Sequence, residues 1–326
     1  MSKYFADQTQ CLYLDQFAVS RICVPSPPAE WADISMLIKE GVEKNRLICP
    51  IPIEQVIETS GLDKESATSL DKEYRKLSSG WCLFSELDIS AHYFICKVRN
   101  IQMAKQHFIY RDTQQYMDES NVYEELGKRS LMFRKMIEEA TSTVNIFRTA
   151  ARGGSRGKKE LRNSTVKIIK AGYAREMKDR LYLLGTQGRY TPIPMTLAGQ
   201  AIPFWADALC SALVSKHHLT QPEALDAYHC LQHEGIDAVP SLSIRASLEA
   251  MKTYKGTNET PNDQVDIMRI ASALPVADIM LIDGPRASDV RELGLDKEFQ
   301  TTIYSGKKME LVRLREQLEA LIKTDN

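Results

Sequence analysis

The chain has 326 residues, of which 43% are hydrophobic and 26% charged, with a formal net charge of −1. That length holds one large domain or two modest ones, and the composition is that of an ordinary soluble globular protein. No run approaches the about eighteen uninterrupted apolar residues of a membrane span, and Met1-Ser2-Lys3-Tyr4-Phe5-Ala6-Asp7 lacks the apolar core of a signal peptide. A cytoplasmic protein is therefore expected. The seven cysteines are scattered, without a Cys-x-x-Cys pair, and Cys11, Cys49, Cys82 and Cys96 lie in apolar runs. They read as reduced, buried thiols.

The N-terminal sixty residues read as strand, helix, helix, strand, helix. Cys11 to Leu14 is an apolar run ending in Asp15, and Gln16 to Ile22 starts a short helix that Pro25-Ser26-Pro27-Pro28 breaks. Trp31, Ile34, Leu37, Ile38 and Val42 recur at helical spacing. Arg46 to Cys49 is a second short strand, ended by Pro50 and Pro52, and Ile53 to Ser60 is a helix stopped by Gly61.

From about residue 63 to 239 the pattern is mostly helical. Gly80 to Phe84 is one extended piece, Met132 to Phe147 a helix, and Ala151 to Lys159 a flexible basic loop. Tyr190-Thr191-Pro192-Ile193-Pro194 is a break, followed by helices at Ala198 to Lys216 and Pro222 to His233. After Pro240 the alternation of strand and helix returns. Helices at Ser243 to Tyr254 and Asn262 to Leu274, the latter capped by Asn262, precede the strand Ile279 to Ile282. A helix near Ala287 to Leu293, a strand at Thr301 to Tyr304 and a charged helix from Lys307 to Lys323 complete the chain. Four short strands separated by helices favour a parallel sheet. The expected organisation is an α/β core from residues 1–62 and 240–326, with a helical insertion at 63–239.

Charge is uneven. Residues 128–180 hold fifteen Lys/Arg against five Asp/Glu, so the rest of the chain is acidic. Such a segment suits polyanions, although a solvated basic helix face has the same composition. Arg152, Arg156, Lys158 and Lys159, among glycines, are candidate phosphate contacts, as is Arg245 further on. Gly153-x-x-x-Gly157-Lys158 is one residue short of a P-loop and lacks a preceding strand. His229 and His233 have the i, i+4 spacing that can bind zinc, but no Glu stands where a metalloprotease has one. Ser305-Gly306-Lys307-Lys308 lies at a strand-to-helix turn, an anion position or a simple turn.

The acids carry more information. Asp15 and Asp283 each follow an apolar strand, where open α/β sheets bind ligands. Asp263 and Asp266 share one helix face, and Asp278 starts the strand that Asp283 ends. Helix capping accounts for Asp15 or Asp263 taken singly. Several such carboxylates together need a partner, and Mg²⁺ or Mn²⁺ is a common one in phosphate chemistry.

Leu12-Tyr13-Leu14-Asp15-Gln16-Phe17, then Pro50 with Glu58-Thr59, then Asp263 and Asp266 with Ala271 and Ala273, then Ile282-Asp283 resemble the acid-bearing motifs of the PIN-like domain ribonucleases, in the same order. The resemblance covers about the first sixty and last ninety residues and leaves out the helical middle. Leu281-Ile282 stands where those domains usually carry Thr-Asn. It implies a Rossmann-like core with a short parallel sheet, a Mg²⁺ or Mn²⁺ site, and hydrolysis of phosphodiesters in RNA. By the same resemblance Asp15, Asp266 and Asp283 are metal ligands, and Glu58, a better match than Glu54, completes the set or orients water. Asp263 and Asp278 take supporting positions. The rival expectation is a non-catalytic nucleic-acid-binding or assembly module that works through the basic segment. The long insertion would suit a partner protein or a second copy of the chain.

Overall fold

A computed structural model describes residues 9–24, 26–55, 64–111, 135, 137–139, 141, 142, 145, 159–192, 195–197 and 200–323. The chain is mixed α/β and mostly helical, with a small parallel sheet. It divides into two compact units. The first is built from residues 1–83, 108–131 and 273–326, the second from 84–107 and 132–272. Residues 64–83 thus join the chain ends and residues 240–272 join the helical unit, whereas the sequence pattern drew the boundaries at 62 and 240.

In the first unit, β1 (Gln10–Leu14) leads into α1 (Gln16–Ile22) and α2 (Ala29–Glu43). Next come β2 (Leu47–Ile48), β3 (Ile51–Pro52), α3 (Lys64–Ser78) and β4 (Trp81–Leu83). The second unit opens with α4 (Glu86–Val98), after which the chain returns to the first with β5 (Ile109–Arg111). The long α5 (Lys159–Gln187) belongs to the second unit, as do β6 (Met195–Leu197), β7 (Gln200–Ile202) and α6 (Trp205–Ser215). So do α7 (Gln221–Glu234), α8 (Pro240–Lys255) and α9 (Pro261–Ala273). The last stretch, in the first unit, is β8 (Ile279–Leu281), α10 (Gly284–Leu293), α11 (Leu295–Glu298), β9 (Thr302–Tyr304) and α12 (Lys308–Lys323).

The main sheet has the order β2-β1-β8-β9 with every neighbour parallel. Leu12 faces Ile279 and Leu14 faces Leu281, and Met280 pairs with Ile303. β2 and β3 are separated only by Cys49-Pro50. β3 pairs in parallel with β4, which carries β5 antiparallel at its edge. The strands thus form a four-stranded parallel sheet β2-β1-β8-β9 and a separate three-stranded sheet β3-β4-β5. In the parallel sheet β2 lies on one side of β1, and the chain resumes at β8 on its other side.

Strands that read as unbroken apolar runs are those buried on both faces. Leu12, Leu14, Leu47, Ile279 and Leu281 join Ala18, Val19, Ile22, Trp31, Ile34, Ile38, Leu314 and Leu318 in one core. On the opposite face Cys11, Tyr13 and Met280 are at most 1% exposed. Each such aliphatic side chain contributes about 1.5–3 kcal/mol of burial. The second unit has its own core, in which Phe94, Tyr173, Met177, Leu181, Leu209, Leu213, Leu231 and Leu242 pack helix on helix.

Two expected elements differ. The helix expected from Ala198 begins at Trp205, because residues 195–197 and 200–202 pair as a hairpin. Lys159, assigned to a loop, is the first residue of α5. Ile53 and Glu54 lie in a turn, and most of the helix expected from Ile53 to Ser60 falls at 56–60, outside the described residues. The described positions between 135 and 145 are helical, as their pattern predicts.

Candidate acidic site at the strand ends

Asp15 and Asp283 follow adjacent strands, with Asp283 one residue further beyond the Leu14–Leu281 register pair than Asp15. β1 ends at Leu14, β8 ends at Leu281, and the Asp15 N–H donates to the Leu281 carbonyl at 2.9 Å. Each aspartate caps the helix that follows. Asp15 Oδ1 accepts from the Gln16 N–H at 2.9 Å, and Asp283 Oδ1 accepts from the Arg286 N–H at 2.9 Å. Asp15 is 8% exposed. Helix N-termini offset part of the cost of burying these carboxylates, since their unpaired N–H groups carry partial positive charge.

The pairing leaves a signature. Burial pushes the Asp283 carboxyl above the usual range, the Arg286 N–H pulls it back, and the neighbouring Asp15 pushes it up again. Asp289 also raises it and the Arg286 charge lowers it. Arg286 and Asp289 form a buried ion pair at 3.0 Å, so the backbone that caps Asp283 is itself held. On the β1 side the fully buried Gln55 amide donates to the Gln16 side chain. The turn containing Glu54, 6% exposed, is thereby tied to the residue after Asp15.

Within the first unit, one further acid is placed away from this pair. Asp278 stands at the opposite, N-terminal end of β8, where its Oδ2 accepts from the Cys11 N–H at 2.8 Å. It closes the start of the β1–β8 ladder and is not a neighbour of the strand ends. Asp263 belongs to the second unit and caps α9. Thr260 Oγ accepts from the Asp263 N–H, and Asp263 Oδ2 accepts from the Thr260 N–H at 2.7 Å. The capping box is thus Thr260 and Asp263 rather than Asn262. Lys252 completes the occupation of Asp263 at 2.9 Å. Asp266 is partly buried one turn further along α9. Glu58, Arg152, Arg156 and Lys158 lie outside the described residues. Among the described residues no group of three or more His, Cys, Asp or Glu is arranged to hold a metal ion.

Two basic expectations are also corrected. Arg245 contacts protein carboxylates: it is 14% exposed and ion-paired with Glu86 at 3.0 Å and Glu249 at 3.2 Å, with Tyr173 under its guanidinium. At Ser305 the anion position is filled from within, as the Ser305 hydroxyl donates to Glu310 at 2.6 Å and its N–H donates to the same carboxylate. His229 and His233 are exposed on α7.

Sequence reasoning passed over Arg286, Asp289 and Gln55, and ranked Glu54 behind Glu58. Arg286 stands three residues after a strand-end Asp, the spacing of a helix cap, which is a readable signal. Nothing local marks Gln55 as the partner of Gln16. Comparisons with protein-family models, with curated proteins and with solved structures found no match to this chain. No described helix is long and apolar enough to cross a membrane.

Proposed function

We propose that this chain is a metal-dependent nuclease acting on RNA, with a PIN-like core whose reacting centre is organised by Asp15 and Asp283. The observation that carries the reading is their position at the carboxyl ends of β1 and β8, the two strands between which the sheet order reverses. In doubly wound sheets that reversal leaves a crevice outside the strand ends, and ligands bind there. The parallel order β2-β1-β8-β9 would be the 2-1-4-5 part of a Rossmann-like sheet, and this supports the core fold the sequence resembles.

The donor set fits Mg²⁺ or Mn²⁺. Two aspartates supply hard oxygen ligands, and Mg²⁺ is commonly held by one or two carboxylates with several waters retained. A cation would also relieve the repulsion that raises Asp283. When bound, such an ion supplies an activated water and charge stabilisation at the leaving oxygen. The chain's own residues do the positioning. The cap bonds to Gln16 and Arg286 fix both carboxylate planes, and the Arg286–Asp289 pair holds the α10 end of the site rigid.

The test uses Asp15→Asn and Asp283→Asn. Asn caps a helix as well as Asp does, so the fold should survive while the charge is lost. Cleavage of single-stranded RNA with Mn²⁺ should fall by at least roughly 100-fold in either variant, since even outer partners of metal ligands are worth 10- to 100-fold. Added Mg²⁺ should raise the Tm of the wild type and leave Asp15→Asn unmoved. Full cleavage by both Asn variants would remove the acidic-site reading.

A second reading takes both aspartates as helix caps and nothing more, in a module that binds nucleic acid without cutting it. The hydrogen bonds that each cap makes favour it. It expects binding that survives EDTA, falls steeply with salt, and is unaffected by either Asn substitution.

A further inference from the structure

We propose that the outer face of α5 and α7, in the second unit, binds single-stranded nucleic acid, with bases stacked on the exposed rings that flank a half-buried tyrosine and phosphates met by the α5 cations beside them. Tyr182 on α5 is 50% exposed. Its ring lies 5.5 Å from that of Tyr228 on α7, and Tyr228 lies 5.2 Å from the imidazole of the exposed His229. Tyr228 is half-buried and packs against the helical core, which fixes its ring, while Tyr182 and His229 stand exposed on either side of it and lie off the inward-facing α5 residues Tyr173, Ala174, Met177, Leu181 and Leu184.

The cations share the face. Arg175, Lys178 and Tyr182 stand at i, i+3 and i+7 along α5 and so lie in one line. Arg175 is 73% exposed, 3.9 Å from Glu176, and Lys167 is exposed a little more than two turns before it. α5 carries seven Lys/Arg against three acids, whereas α7 has three acids and no Lys/Arg, so the cations of this face come from α5 alone. Lys170 and Arg180 are drawn into ion pairs with Asp237 and Asp207. Asp179 is the acid on this line, and Asp226 is exposed on α7. Ile168, 70% exposed, extends the line by a further two turns as an apolar contact.

Charge alone would suit any polyanion. The rings decide the class: aromatic side chains offer a stacking platform to unpaired bases, which a duplex keeps inside its own stack. Stacking on a ring is open to every base, so the expected binding tolerates any sequence. The proposal rests on the nucleic-acid reading above but not on catalysis, and its test separates the two.

Binding is measured by fluorescence anisotropy in EDTA, on the full chain carrying Asp15→Asn, with a labelled 15-nucleotide oligouridylate and a duplex of equal length. The single strand should bind more tightly, with affinity falling steeply as salt rises. Tyr182→Ala should weaken it by about 5- to 150-fold, the worth of one stacked base, and Tyr182→Phe should restore it. Arg175→Glu with Lys178→Glu should weaken it further and flatten the salt dependence. Unchanged binding in Tyr182→Ala, or duplex bound as tightly as single strand, overturns the proposal. So does concentration-dependent self-association that Tyr182→Ala abolishes in a chain that binds no oligonucleotide; that result assigns the face to a second copy. Binding lost in Tyr182→Ala while both strand-end Asn variants still cleave would sink the acidic site and leave this face standing.

Discussion

At the scale of single residues, what decides a charged group's role is its partner. Asp15 and Asp283 follow neighbouring strands and each accepts a cap hydrogen bond, Asp263 is held by Lys252 and the Thr260 cap, and Asp278 by the Cys11 N–H. Arg245 is answered by Glu86 and Glu249. Because Glu86 is 4% exposed, removing the arginine leaves an uncompensated buried carboxylate. Arg245→Met should therefore cost about 3–5 kcal/mol in urea unfolding. It should leave oligonucleotide affinity at the wild-type value, which separates a structural ion pair from a phosphate contact.

At the scale of elements, the strand ends of the parallel sheet are where geometry is tight. Gly306 follows β9 with φ of +74°, a conformation that glycine adopts without strain. A Cβ there would come within 2.8 Å of the Phe17 ring, which packs edge-on against Trp31 with centroids 6.0 Å apart. Phe17 lies in α1, directly after the Asp15 cap. Gly306→Ala should accordingly lower stability by more than the about 1 kcal/mol of an unstrained glycine replacement. It should also displace α1, seen as altered near-UV circular dichroism and a weaker Mg²⁺-induced rise in Tm. A wild-type Tm in that variant would show that the β9 turn gives way freely.

At the scale of the whole molecule, two cores in one chain allow the two units to respond separately to conditions. The second unit contains His92 on α4, with its ring 5.6 Å from His107 and 5.3 Å from His217. Phe84 packs edge-on against His92, and Asp88, Lys216 and Arg99 are the charged groups around the cluster. Burial holds His92 and His217 below the ordinary value of 6.5; the hydrogen bond to the His107 carbonyl and the Asp88 charge oppose it at His92. Both residues are thus more basic in the unfolded chain. The stability they favour is fully present above pH 6.5 and is lost as pH falls from there through their folded values. Hydrogen exchange at pH 5.5 should be faster than at pH 7.5, after correction for intrinsic rates, across residues 86–107 and 205–217. His92→Asn should reduce that difference. Equal protection at both pH values would show that the cluster charges without strain.

The sequence by itself determined the elements of the sheet and its direction. Cys11–Leu14 and Ile279–Ile282 read as buried strands because a strand covered on both faces must be apolar throughout, and helical patterns between short strands imply parallel pairing. Helices such as α2 and α12 announced themselves by amphipathic periodicity, which is a local property. That Asp15 and Asp283 each end a strand was legible for the same reason. That they end adjacent strands, beside the reversal of sheet order, was decided only by the tertiary structure, because strand order joins residues some 267 positions apart, as the Cys11–Asp278 bond does. The same holds for Arg245, whose partner Glu86 is 159 residues away, and for the Tyr182–Tyr228 row. Periodicity and capping are set within a few residues of a position, whereas the partner that neutralises a carboxylate or covers a ring is chosen by whatever the folded chain brings beside it.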